Sequence, residues 1–312
     1  MTRGYSAPDV RRRIIEALAR SDAGGASGIK ISRMLNMSRT TATKYLNALY
    51  ADGTLRQRDM GNVTLWSLEP GQESYTFPDD YFKIASAYAE CIRNASEECA
   101  LSLVHNCVRS GGSAARLILE AIVPASDTIH EMYAAGRIGA AEQSLLHRII
   151  YRSLSALEPG GTRPDPEKGA IVVAADSRSE PMSRAASAAY RSGGWSVYEL
   201  GDISSTAGVL FDLDFQRLVD RVWDGERGIL LTVAFSNTAE GLNFLADSIY
   251  PITKKSRRMR LLLCGVHLEG AEAVPPSGIR SCDHYVDGDM SKILQLSDTA
   301  ASGGNADSLR IL

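Results

Sequence analysis

Between residues 170 and 297 short apolar runs alternate with amphipathic stretches, and that alternation limits the fold more than any other feature of this chain. The runs fall at 170–175, 196–200, 228–234, 260–264 and 284–286, and the amphipathic stretches between them at 181–193, 212–224, 239–254 and 289–297. A strand that is apolar on both sides cannot face water, so such runs belong to a parallel sheet covered by helices on both faces.

Five strands of this kind suit a flavodoxin-like order, 2-1-3-4-5, in which ligands sit at the carboxyl ends of the strands. The expected fold class is a multidomain α/β protein: an N-terminal winged helix, a four-helix bundle and a flavodoxin-like five-stranded parallel α/β domain. The bundle comes from 79–158, where Tyr81, Ile84, Tyr88 and Ile92 mark one helix and Ala100, Leu103, Val104 and Cys107 a second. Leu117 to Met132 mark a third, bent near Pro124, and Leu145 to Leu157 a fourth. The Pro- and Gly-rich segments "EPGQESYTFP" (69–78) and "EPGGTRPDPEKG" (158–169) read as linkers. The expected domains are 1–68, 79–158 and 169–297, with a flexible tail at 298–312.

Net charge divides unevenly. Residues 1–68 hold eleven Lys and Arg against five acids, a balance of +6 in a chain of −3, which leaves −9 on the rest. A basic head suits a polyanion. Val10, Ile14, Ile15 and Leu18 predict a first helix, and Ile29, Ile31, Met34 and Leu35 a second. Ser38 reads as the N-cap of a third helix, which buries Ala42, Tyr45, Leu46, Leu49 and Tyr50. "TLRQRDMGNVTLWSL" predicts a hairpin. In order and spacing "KISRMLNMSRTTATKYLNALYADGTLRQR" resembles the core of the winged-helix DNA-binding domain. That resemblance places Arg39, Thr40, Thr43 and Lys44 in the major groove of double-stranded DNA, with Arg56 and Arg58 on the hairpin as further contacts.

A helical bundle followed by such an α/β domain resembles the cobalamin-binding module of corrinoid proteins. "MYAAGRI" (132–138), "GWSVYELG" (194–201), "LLTVAFSNT" (230–238), "LLLCGVH" (261–267) and "SCDHYVDGD" (281–289) occur in the module's order. The resemblance implies a cofactor held between bundle and α/β domain. In that family the turn after the first strand reads Asp-x-His-x-x-Gly: the His binds cobalt and the Gly admits the nucleotide tail. Here those places fall on Ser177, Ser179 and Met182, with Asp176 one position off, so the His-on mode is not expected. Candidate ligand contacts are Ser177, Ser179, Ser236, Asn237, Gly265, His267 and Tyr285, with His130, Met132 and Tyr133 from the bundle; His147 reads as packing.

No Walker loop, G-x-G-x-x-G after a strand, G-x-S-x-G or H-E-x-x-H is present, which argues against an enzyme. The five cysteines lack C-x-x-C spacing and read as reduced, small apolar side chains. No apolar run is long enough for a membrane span, so a cytoplasmic protein without membrane contact is expected. The leading expectation is a homodimeric transcriptional regulator that binds DNA and senses a small-molecule effector. That effector is either cobalamin in a mode other than His-on or an unknown ligand such as haem. Two alternatives remain open: a corrinoid-carrying methyltransferase or mutase subunit, and a ligand-free assembly platform.

Overall fold

The computed structural model describes residues 7–19, 21, 25–61, 63–69, 75–157, 164–205, 210–223, 228–268 and 282–301. The chain divides into two compact units, Met1–Ser113 and Ala114–Leu312.

The first unit begins with α1 (Ala7–Ala19), β1 (Ala26–Ser27), α2 (Gly28–Met34), α3 (Arg39–Ala51), β2 (Leu55–Met60) and β3 (Val63–Leu68). The strands form an antiparallel sheet in the order β1-β3-β2. Val10, Ile14, Leu18, Ile31, Leu46, Leu49, Leu55 and Trp66 make its core. Ser38 caps α3 as expected: its hydroxyl accepts the Thr41 N–H at 3.1 Å, satisfying one of the orphan donors of the first turn. Two aromatics depart from the expected stripe. Ala42, Leu46 and Leu49 are buried, but Tyr45 is half-buried and Tyr50 is 48% exposed. At 100° per residue Tyr50 lies eight places past Ala42, on the margin of the buried face, and its ring meets only the edge of Trp66.

The unit closes with α4 (Tyr81–Arg93) and α5 (Glu97–Arg109), which pack on each other. Cys91 and Cys99 form a disulfide across their junction, which corrects the expectation that all the cysteines are reduced. The turn between the helices brings their Cα atoms to 5.6 Å, within disulfide reach. Cys107, Cys264 and Cys282 are free thiols, and burial pushes the Cys107 thiol up to about 11.

In the second unit α6 (Ala114–Leu117), a single π-helical turn (Ile118–Ile122) and α7 (Val123–Ala134) run on without a break. The bend expected near Pro124 takes this form because Pro124 brings no N–H to the ladder, and Val123 N–H bonds Ile118 C=O five residues back. After α8 (Ala140–Ala156) come β4 (Asp165–Ala174), α9 (Glu180–Ser192), β5 (Trp195–Asp202), α10 (Phe211–Val222), β6 (Ile229–Ser236), α11 (Ala239–Thr253), β7 (Met259–Gly265), β8 (His284–Asp287) and α12 (Met290–Ala301). All five strands are parallel and ordered β5-β4-β6-β7-β8, the 2-1-3-4-5 arrangement.

β4 begins within the segment read as a linker: Lys168 pairs with Ile229, and Gly169 with Leu230 and Ser196. Gly228, at φ +67°, precedes β6 where a Cβ would overlap the Glu167 backbone, so only glycine fits the close approach. α10 and α11 cover one sheet face through Phe215, Val219, Leu242, Leu245 and Ile249. α9 and α12 pack on each other elsewhere on the sheet, joined by a 2.6 Å bond between the Tyr190 and Ser297 hydroxyls. α12 extends through Ala301, into residues read as tail; 302–312 lie outside the described residues.

Two outcomes test this architecture. Ile171 is fully buried in the interior strand β4, so Ile171→Ala should lower stability by about 2–5 kcal/mol, read as a drop in the urea midpoint at unchanged slope. Thiol titration of the denatured, unreduced protein should count three reactive groups, rising to five after reduction.

Candidate functional site

The chain leaves β4 for β5 on one side and reaches β6 on the other, so the carboxyl ends of β4 and β6 flank the sheet's switch point. The turn after β4 closes that crevice. The Asp176 carboxylate accepts hydrogen bonds from Ser236 Oγ (2.7 Å), Asn237 N (3.0 Å) and Ser179 N (2.8 Å). The amide nitrogen of Asn237 faces the same carboxylate at 3.1 and 3.3 Å. Ser179 is fully buried, and its hydroxyl donates to the Phe235 carbonyl on β6 at 3.3 Å. The chain's own polar groups thus occupy the position where a Rossmann-like sheet usually admits a ligand.

A cavity of about 300 Å³ lies above this plug. α7 contributes His130, α8 contributes His147 and Tyr151, the β4 turn Ser177 and Arg178, and the end of β7 His267. Ile122, Ile150, Met182 and Val266 form its apolar part. The π-helical turn reaches the cavity through Ile122, a frequent place for such an irregularity.

His267 has a left-handed backbone, φ +46°, unusual for a residue with a Cβ. Its Nε2 pairs with Asp127 Oδ1 at 3.2 Å, and its ring stacks on His130 with centroids 4.3 Å apart and planes 9° from parallel. The hydrogen bond to Asp127 raises His267 above the ordinary histidine range against the opposing effect of burial. His130 is lowered, first by burial and then by the charges of His267 and Arg178. Burial, aided by the charge of His130, pushes His147 down to about 4. One imidazole of the three favours its proton, and two resist it.

The structure brings Ser177, His130 and His267 of the expected ligand residues together around the cavity. Ser179, Ser236 and Asn237 lie instead in the Asp176 plug. Gly265 and Tyr285 sit beside each other at the sheet end: a Cβ on Gly265 would meet the Tyr285 hydroxyl at 2.6 Å and Leu268 at 2.9 Å. Met132 and Tyr133 do not line the cavity, and Tyr133 is 38% exposed. His147, read as packing, does line it. Asp127, Tyr151 and Arg178 were not anticipated; the i,i+3 spacing of Asp127 and His130 on one helix was the available signal. In the first unit Arg39, Thr40, Thr43 and Lys44 are exposed on α3, Arg58 is exposed on β2, and Arg56 bonds Ser67 Oγ at 3.0 Å.

Comparison with known proteins bears on these features. Residues 84–158 match the family model described as "B12 binding domain". The monomethylamine corrinoid protein of Methanosarcina barkeri superposes with a TM-score of 0.52 at 11% identity, covering 70% of this chain and 98% of that one. A cobalamin-binding protein from Desulfitobacterium hafniense DCB-2 is 13% identical, with 68% of this chain and 98% of that chain covered at a TM-score of 0.37. The methanol:cobalamin methyltransferase complex of M. barkeri gives 16% identity, 78% and 87% coverage, and a TM-score of 0.37. No curated protein matches. The first superposition shows the fold that the strand order already describes. The family match and the first superposition overturn the expected DNA-binding regulator, because they point to a B12-binding model and to the fold of a corrinoid protein, and they favour the corrinoid-carrying alternative. Among the described residues no helix is long and apolar enough to cross a membrane.

The depressed His147 gives a pH test. Its folded value, about 4, lies below the ordinary 6.5, so between these values the unfolded chain takes up a proton that the folded chain refuses. Stability from this residue is present above pH 6.5 and falls as pH drops toward 4. His147→Phe should flatten that part of the stability–pH curve, measured by urea unfolding at a series of pH values.

Proposed function

We propose that this chain is a corrinoid carrier, the subunit that holds the cofactor for a partner methyltransferase or mutase. The cavity carries the reading: three imidazoles, an arginine and an apolar wall converge at the carboxyl ends of the strands, in a chain whose residues 84–158 match a B12-binding model. The corrinoid fold neighbour, covered over 98% of its length, supports it.

The residues present fit part of such a cofactor. Ile122, Ile150, Met182 and Val266 suit the apolar rim of a corrin ring, while Ser177, Arg178 and the histidines suit its amide side chains and its metal. They do not fit the nucleotide tail of the His-on mode. Ser177 and Ser179 stand near the ligand position, Ser179 and Met182 are buried, and the Asp176 network fills the crevice. When bound, the corrinoid's cobalt supplies the group-carrying chemistry. The protein's part is to grip the ring, screen one face from water and hold an imidazole or its proton in place. We read the small domain formed by α1–α3 and the β1-β3-β2 sheet as an accessory part of the carrier.

Gel filtration after mixing with hydroxocobalamin should retain a coloured protein peak. Ser144→Trp, on the exposed side of α8 beside His147, should abolish retention by filling the cavity while leaving the melting temperature within a few degrees. A colourless peak from the unaltered protein with hydroxo-, methyl- and adenosylcobalamin alike would sink the carrier reading.

A further inference from the structure

From Ser248 to Leu268 the chain carries five Lys and Arg and no acid, although the chain beyond residue 68 is acidic as a whole. Lys254, Lys255, Arg257 and Arg258 form most of the loop from α11 into β7, and Arg260 is the second residue of that strand. The loop is fixed by its own bonds. Ser256 Oγ accepts the Arg258 N–H at 3.1 Å, the Ser256 carbonyl accepts the Met259 N–H at 3.2 Å, and the Arg258 carbonyl accepts the Leu230 N–H at 3.0 Å, which ties the loop to the start of β6. Its cations are oriented by neutral groups. Arg260 donates to the Arg257 and Met259 carbonyls at 2.6 and 2.8 Å, Lys255 donates to Gln216 Oε1 at 2.5 Å, and the Lys254 ammonium lies 4.6 Å from the centre of the Tyr250 ring. Among the described residues none of Lys254, Lys255, Arg257 and Arg260 pairs with a carboxylate. A neutral partner orients a cation without cancelling its charge. Like charges held this close repel one another, a cost that an anionic partner removes.

Arg257, Arg258, Arg260 and Lys168 line a groove of about 300 Å³ at the amino ends of β4, β6 and β7. Asp165 and Glu167 line it too, and Ile229, Ala300 and Ala301 are its apolar part. This mixed lining decides the kind of partner. A phosphate chain or an anionic lipid surface carries one charge throughout and would meet the two carboxylates as well as the cations. A polypeptide can offer carboxylates to the guanidiniums, which grip them through two parallel N–H···O bonds, backbone N–H groups to Asp165 and Glu167, and a small apolar side chain to the two alanines. We infer that the α11–β7 loop and this groove dock an acidic polypeptide segment of a partner protein. The eight residues of β6 separate the groove from the cavity, roughly 25 Å at about 3.3 Å per residue, so a partner held here leaves the carboxyl ends of the strands uncovered. The inference goes beyond the carrier reading and stands or falls without it.

The test uses the full chain and labelled decaglutamate, with binding read by fluorescence anisotropy at fixed salt. Arg257→Glu/Arg258→Glu should weaken binding about tenfold or more. Lys254→Glu/Arg257→Glu should do the same while leaving Arg258 in place, which keeps the inference open to refutation where the first pair disturbs the fold. Arg39→Glu/Lys44→Glu, in the other basic region of the chain, should stay within about twofold, with circular dichroism and melting alike in all three. Colour retention with hydroxocobalamin should be the same in both loop variants as in the unaltered protein. No binding by the unaltered protein, unchanged affinity in both loop variants, or loss of binding in the α3 variant alone overturns the inference. Tighter binding of random-sequence duplex DNA or of phosphatidylserine vesicles than of decaglutamate, abolished in the same loop variants, overturns it in favour of a phosphate-bearing surface.

Discussion

A parallel sheet must be covered on both faces, and the rest of the second unit follows from that requirement. Ile171 and Val172, Val233 and Ala234, and Leu262 and Leu263 are consecutive pairs that point to opposite faces and are all nearly inaccessible, so neither face of β4, β6 and β7 is left for water. Helices occupy both faces, and the free perimeter is reduced to the strand ends and the two edge strands. Of these, the carboxyl ends gather turns that return to the sheet at different points, which is why chemistry-bearing side chains from β4, β6 and β7 meet there. The location of the cavity is a consequence of hydrophobic burial, and its lining is a consequence of which residues terminate those strands.

Much of this layer could be read from the residues alone. The apolar runs gave all five strands and their order, because a strand buried on both faces leaves a mark that depends only on neighbouring residues. The start of β4 was missed for the converse reason: residues 165–169 are polar and exposed or half-exposed, and they enter the ladder through backbone pairing alone. Tyr50 was misplaced because helical spacing gives a direction but not the width of the buried stripe. The Cys91–Cys99 bond escaped because it depends on how tightly α4 turns into α5.

The candidate site was less accessible to sequence. His267 and Asp127 are 140 residues apart, and no periodicity links a strand end to a helix so distant. Ser179, Ser236 and Asn237 lie near the switch point, where they hydrogen-bond Asp176. A polar residue at a strand end has the same signature whether it meets a ligand or a neighbour; only the partner distinguishes them. The basic residues 1–68 led further astray. Their charge excess and exposed α3 face are present, yet net charge speaks to solubility and association before it speaks to a specific partner.

The His130–His267 stack sets how much room the site has. A planar macrocycle is about as thick as an aromatic ring, so it cannot lie between two imidazoles whose centroids are 4.3 Å apart. At about 300 Å³ the cavity is also at the lower bound of ordinary ligand pockets, roughly 300–1,000 Å³. A planar ligand of that size would have to part the stack, so the described arrangement of α7 and the end of β7 is one without such a ligand between the two rings. α7 is held in place by more than this pair, since Ala125 and Ile129 are buried where the helix packs on α8 and α9.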